Sequence, residues 1–229
     1  MSVADAAQNL QVSPRRVRQL VADGSLPGLR VGGRWLVSPS AIEHRQRSRP
    51  PPGRPLSAPS AWRVLAVLAH AADGLEGLSP PLRSRARSRA ARLRRQPSDA
   101  IPQAWRAALR RRAELNQFYG HPSILADIAH DPGLVRSGIS AAHDHGADLM
   151  VVGGAEGYLR SQDLVRIVEQ YALSPSSGAD ANVWLRVVGS GADWLFRQRV
   201  APAAVVAADL MERDGFRDQA AGVKLAASL

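Results

Sequence analysis

Apolar residues recur at helical spacing from the start of the chain. Val3, Ala6, Ala7 and Leu10 fall on one face, behind Ser2 with Asp5 three residues on, a capping-box-like start. Gln11 and Val12 break that helix. Ser13 then offers an N-cap oxygen and Pro14 takes the first helical position, where its missing N–H costs nothing. The second helix turns Val17, Leu20 and Val21 one way and leaves Arg15, Arg16, Arg18 and Gln19 on the remaining surface. Asp23-Gly24 ends it, with Gly24 suited to the left-handed C′ position. Leu29, Val31, Trp35 and Val37 flank Gly32-Gly33, a two-residue turn able to supply positive φ twice, which predicts a hairpin. Ser38-Pro39 opens a short helix carrying Ala41 and Ile42.

Residues 44–59 read as a stiff spacer, because three consecutive prolines, Pro50 to Pro52, favour extended polyproline geometry among arginines. Helical patterning returns at Ser60. Trp62, Leu65, Ala66, Leu68 and Ala69 form an apolar face, and Ser79-Pro80-Pro81 opens a helix with a thin stripe of Leu82, Ala86, Ala90 and Leu93. A further helix is predicted through Trp105, Ala108, Leu109 and Ala113, carrying Arg110-Arg111-Arg112, and a short one over Ile124 to Ala129 behind His121-Pro122-Ser123. Beyond these, Ser137 to His145 is predicted helical, and Asp148 to Val152 a strand entering Gly153-Gly154. Ser161 to Tyr171 is predicted as a helix burying Leu164, Val165, Ile167, Val168 and Tyr171. Asn182 to Val188 is β-rich, and helices over Pro202 to Arg213 and Phe216 to Leu229 follow. The fold class is therefore α+β and mostly α: a small domain at 1–43, the spacer, and a helix-rich domain with a small sheet at 60–229.

Composition narrows the chemistry. The chain of 229 residues has no cysteine, which removes disulfides, thiolate zinc sites and cysteine nucleophiles. No apolar run reaches the roughly 18 residues of a membrane span, and the start has no basic segment followed by a greasy one, so a cytoplasmic, nucleoid-associated protein is expected. Charge is uneven: residues 1–112 hold 21 basic and 6 acidic side chains, a net of +15, whereas residues 113–229 hold 9 and 14, a net of −5. That asymmetry points to a polyanion-binding first half.

Helix, tight turn, helix, two-stranded wing and helix is the order of a winged helix-turn-helix. The first 43 residues resemble the excisionase-type, MerR-related DNA-binding domains. The resemblance is carried by Val3-Ala4-Asp5-Ala6-Ala7, Val12-Ser13-Pro14-Arg15-Arg16-Val17, Asp23-Gly24-Ser25-Leu26-Pro27 and Arg30-Val31-Gly32-Gly33-Arg34-Trp35. It implies duplex DNA as partner, with the second helix in the major groove. Arginine suits the paired acceptors of guanine and glutamine those of adenine, so Arg15, Arg16 and Gln19 are placed for base edges and Arg18 for a base or a phosphate, behind the Ser13 cap. In the wing, Gly32, Gly33 and Arg34 are expected at phosphate or minor groove, and Trp35 in the core. Gly53-Arg54-Pro55 resembles the core of AT-hook segments, which lay an arginine along an A·T minor groove.

The arginine-rich helix, with Arg85, Arg89 and Arg92 as candidate contacts, could follow DNA backbone, meet an acidic partner or the chain's own acidic second half, or stand as solvated surface. Catalysis is not expected. The turn at Val151-Val152-Gly153-Gly154-Ala155 resembles that of nucleotidyltransferases, but no Asp-x-Asp follows. Glu156, Asp163, Glu169 and Asp180 are scattered, and His143 and His145 at i, i+2 cannot share a helix face. No cofactor or metal is implied. Residues 60–229 resemble the C-terminal parts of antitoxins from abortive-infection-type (type IV) toxin–antitoxin pairs, through Val135 to Ala142 leading into His145-Gly146, Pro202 to Leu210, and Asp218-Gln219-Ala220-Ala221. This implies an autoregulating repressor with a nucleotidyltransferase-like toxin as partner. Alternatives are an excisionase-type architectural factor and a nucleic-acid-modifying enzyme targeted by the winged helix. A single winged helix covers a short half-site, so a homodimer is expected.

Overall fold

The computed structural model describes residues 1–10, 12–22, 26–39, 41–42, 55–149 and 153–229. These fall into two units, Met1–Pro51 and Pro52–Leu229. In the first, α1 (Val3–Asn9) starts as its residues dictate: Ser2 and Asp5 form a reciprocal capping box. Helix α2 (Pro14–Ala22) follows, and strands β1 (Gly28–Val31) and β2 (Arg34–Val37) pair antiparallel across the two glycines. Ala6, Ala7, Leu10, Val17, Leu20, Val21, Leu26, Val37 and Ile42 make the core, with Trp35 packed against it as expected. The proposed helix end at Asp23-Gly24 lies outside the described residues.

The second unit begins earlier than the spacer reading placed it. The Leu56 amide donates to the Ala108 carbonyl, and α3 (Ala58–Leu68) starts with Pro59 in its first turn, so the last residues of the 44–59 stretch belong to this unit. Helices α4 (Pro80–Arg94) and α5 (Ile101–Leu109) follow. The chain then forms β3 (Ala113–Tyr119), α6 (Leu125–Ala129), β4 (Val135–Arg136), β5 (Ala155–Arg160), α7 (Ser161–Gln170), β6 (Ser174–Pro175), β7 (Val183–Val188), α8 (Ala203–Glu212) and α9 (Phe216–Ala227). The sheet runs β4-β5-β7-β3-β6, with β5 and β7 parallel and the other pairs antiparallel. Alternation along β5 and β7 divides the interior. Ala155, Leu159, Val183 and Leu185 face the cluster that holds α6 and Ile167 of α7. Tyr158 packs in the other, larger cluster with α3, α5 and α8. Helix α8 is buried continuously from Ala204 to Met211; at Gly222 of α9 a Cβ would sit 2.9 Å from the Ala207 carbonyl oxygen, so the glycine permits that contact.

Three readings are corrected, and a fourth lies largely outside the described residues. The helix predicted through Ala113 stops at Leu109, because Ala113 to Phe118 pair residue by residue with Val188 to Val183 and ladder bonds replace helical ones. Of the strand expected at Asp148 to Val152, residues 150–152 lie outside the described residues; β5 runs over Ala155–Arg160, after the glycine pair. Gly153 has φ +77°, and a Cβ on Gly154 would meet Ile139 and Trp184. Ser137 to His145 forms two short 3-10 segments, Gly138–Ser140 and His143–His145. Val165 is 62% exposed: Leu164, Ile167, Val168 and Tyr171 share one stripe, and Val165 lies about 110° round the helix from its centre. Among the described residues no helix is long and apolar enough to cross a membrane.

Candidate nucleic-acid interface

Helix α2 is amphipathic in the sense its sequence required. Val17, Leu20 and Val21 are buried, whereas Arg15, Arg16, Arg18 and Gln19 are exposed. Ser13 is exposed and its Oγ accepts from the Arg16 amide at 3.3 Å, satisfying one of the free N–H groups of the first turn. One turn along, Arg16 Nη1 donates to Gln19 Oε1 at 2.9 Å, so these two side chains form a joined polar surface. The helix contains no acid. At the hairpin tip Gly32 (φ +54°) and Gly33 (φ +78°) are exposed, with no atom within 4 Å of where a Cβ would stand, so their role is conformational. Arg34 pairs with Val31 through the backbone; its side chain and Arg54 lie outside the described residues. Gly28 matters for packing, since a Cβ there would stand 2.9 Å from Val21 Cγ1.

In the second unit Arg85, Arg89 and Arg92 stand exposed on α4, and Arg110 and Arg111 are exposed after α5. Arg112, read as part of that basic run, is 1% exposed and unavailable to any polyanion. It belongs to an ionic cluster that sequence reasoning missed. Arg112 pairs with Asp209 and Glu212 of α8, and its Nε donates to Tyr158 Oη at 2.7 Å. Tyr158 donates to Asp209 Oδ1 at 2.6 Å, and the Ser137 hydroxyl donates to Asp209 Oδ2. Arg186 reaches Glu156 Oε1 at 2.9 Å, Glu212 Oε2 at 3.0 Å and Asp209 Oδ1 at 3.0 Å. Arg213 closes the cluster on Glu156 and Asp218 while lying over the Trp184 ring. Trp62 Nε1 ties the backbone in, donating to the Arg112 carbonyl at 2.8 Å.

Burial raises the Asp209 carboxyl's pKa, but Arg186, Arg112 and the two hydroxyl donors outweigh it and hold the group below the ordinary carboxylate range. Burial likewise pushes the Tyr158 phenol well above its ordinary value, keeping it a donor. Each charge is therefore offset by a neighbour. The signal available in the sequence was parity alone: Glu156, Tyr158 and Arg186 are polar residues at alternate strand positions.

Glu156, one of the scattered acids, is thus committed to two arginines. Asp163 stands 4.0 Å from Arg166, which pairs with Asp131 at 2.7 Å. His145 Nε2 lies 2.8 Å from the Ala201 carbonyl oxygen. Among the described residues no three His, Asp or Glu side chains converge as metal ligands.

Residues 1–50 match the family described as a helix-turn-helix domain. No curated protein and no solved structure matches the chain. The capped α1, the exposed basic face of α2 and this match together define an N-terminal helix-turn-helix DNA-binding domain, joined to a mixed α and β unit.

Proposed function

We propose that this protein is a sequence-specific DNA-binding regulator, an antitoxin-like transcriptional repressor of its own operon. Its N-terminal domain acts as a winged helix-turn-helix of the excisionase type. The observation that carries the reading is the division of α2: three buried aliphatics seat it, and Arg15, Arg16, Arg18 and Gln19 stand outward, in a unit that also carries a glycine-tipped hairpin. A helix so seated offers its early residues to base edges, while the hairpin, with Arg34 after the turn, is placed for backbone.

Arg15→Ala and Arg16→Ala are each expected to lose about 1–3 kcal/mol of specific binding. Arg34→Ala weakens all sequences alike and lowers the salt slope by about 1. Mobility shifts against operator and scrambled duplex at two salt concentrations measure both effects. Unchanged binding in all three variants overturns the recognition-helix assignment.

The repressor reading includes a non-catalytic second unit. Glu156 and Asp163, the first two acids after the Gly153-Gly154 turn, are engaged by Arg186, Arg213 and Arg166, which favours a structural role. No nucleotide transfer or cleavage is expected with Mg²⁺ or Mn²⁺; turnover lost in Asp163→Asn overturns this. The partners of the reading are duplex DNA, a second copy of the chain and a nucleotidyltransferase-like toxin. Light scattering of the full chain is expected to give a dimer. Co-expression with the product of the adjacent gene tests for the toxin.

A further inference from the structure

Helix α4 carries six arginines and no acid over Pro80–Arg94. At 100° per residue, Leu82, Ala86, Ala90 and Leu93 form its inward stripe, and Ala86, Ala90 and Leu93 are buried. Arg83, Arg87 and Arg94 run about 90° to one side of that stripe, and Arg85, Arg89 and Arg92 about 90° to the other. The outward crest between the rows is Ser84, Ser88 and Ala91. All six arginines are exposed. The helix is thus a low ridge of small residues between two cationic rows.

Several arginines elsewhere in the unit are already neutralised within it. Arg112, Arg136, Arg166, Arg186, Arg197 and Arg213 each pair with a carboxylate. Among the described residues none of the six on α4 does; Arg83 donates to the Leu78 carbonyl and Arg94 contacts His70. Like charges at i, i+4 destabilise a helix, and both Arg83/Arg87 and Arg85/Arg89 have that spacing. A helix serving only as solvated surface gains from alternating signs. This one retains uncompensated repulsion that an external polyanion relieves.

We propose that α4 is a second duplex-DNA surface, separate from the helix-turn-helix and not dependent on it. The crest of Ser84, Ser88 and Ala91 faces the groove, and the two arginine rows meet phosphates of opposite strands. A helix about 10–12 Å across suits a major groove about 12 Å wide, and small crest residues let the backbone approach the groove. Two rows flanking a low crest match a concave partner with two anionic walls better than the single face of an acidic peptide. Guanidinium groups suit phosphate oxygens through paired donors.

The test uses the full chain carrying Arg15→Ala, Arg16→Ala and Arg18→Ala, so that the recognition helix is disabled. Anisotropy with a random-sequence duplex over a salt series is expected to show retained, salt-dependent binding. Adding Arg85→Gln, Arg89→Gln and Arg92→Gln, which preserve helix propensity, flattens the log–log salt slope by about 2.7, or 0.9 per phosphate lost. Ser88→Tyr, which leaves the charge unchanged, weakens binding several-fold with the slope nearly intact. Thermal melts are expected to show no variant less stable than the parent, the glutamine variant gaining slightly from relieved Arg85/Arg89 repulsion. Unchanged affinity and slope in the glutamine variant overturn the proposal, as does arginine-dependent binding to polyglutamate but not to duplex. Unchanged affinity in Ser88→Tyr overturns the groove seating. Failure of the recognition-helix reading shows separately, as operator preference that survives the three N-terminal substitutions.

Discussion

Asp209→Ala is expected to destabilise the second unit by about 3–5 kcal/mol, measured by urea unfolding, because it removes one partner from a buried network of ion pairs and hydrogen bonds. Asp209 is fully buried and receives Arg112, Arg186, Tyr158 and Ser137 at once. Removing it takes one carboxylate from two buried guanidinium groups, leaving Arg112, 1% exposed, with Glu212 and Arg186 with Glu156 and Glu212, and deprives two buried hydroxyls of a partner. Asp209→Asn keeps the shape but loses the charge, and is expected to fall between the parent and the alanine variant. The same carboxylate sets an acid limit. Its folded pKa lies below the ordinary 3.8, so its stabilisation is complete above that value and is lost as pH falls through the folded pKa. Tyr158 has a raised folded pKa, so its contribution holds below the ordinary 10.0 and is lost as pH rises through the folded value. The contribution of these two groups to Tm is therefore expected to be flat between about pH 4 and 10 and to decline outside that window. A decline centred near pH 6 would contradict the assignment.

Gly138→Ala is expected to be comparably damaging, at about 3 kcal/mol or more, from roughly 1–3 of left-handed backbone strain and 1–3 of overpacking. Gly138 has φ +50°, and a Cβ there would lie 2.1 Å from the Glu156 carboxyl carbon. Glu156 cannot move aside without releasing Arg186 and Arg213, which hold its two oxygens. Its Oε2 also accepts the Ile139 amide at 3.2 Å, so the glycine and the carboxylate are fitted to one another. Circular dichroism melts of Gly138→Ala and the exposed control Gly146→Ala separate the two causes. Gly146 has φ +71° but no atom within 4 Å of its Cβ position, so it reports backbone strain alone. Equal losses at the two glycines would remove the carboxylate clash from the account.

Much of the N-terminal domain was legible because its determinants act within a few residues. Ser2 with Asp5 writes a capping box, Ser13-Pro14 a helix start, and Gly32-Gly33 a turn with two positive φ values. The same local logic located α4, opened by Ser79 before Pro80 and seated by Ala86, Ala90 and Leu93. It also set out the exposed arginines of α2 and α4, since a 3.6-residue period settles which side chains share a face.

The second unit's centre was decided by contacts that no local rule encodes. Arg112 follows two exposed arginines and reads as surface, yet it turns inward because Asp209, 97 residues away, and Glu212, 100 residues away, wait there. Helical spacing around Leu109 extended to Ala113, and only the ladder with Val183–Val188 made the segment a strand. Glu156 and Arg186 meet because parallel pairing of β5 with β7 points alternate side chains toward α8. By itself the sequence determined the capped helices, the glycine hairpin and the two basic helix faces, each set by neighbours within about one turn. The tertiary structure alone decided the sheet order and which charges became interior, because strand pairing and charge neutralisation depend on residues far apart in the chain.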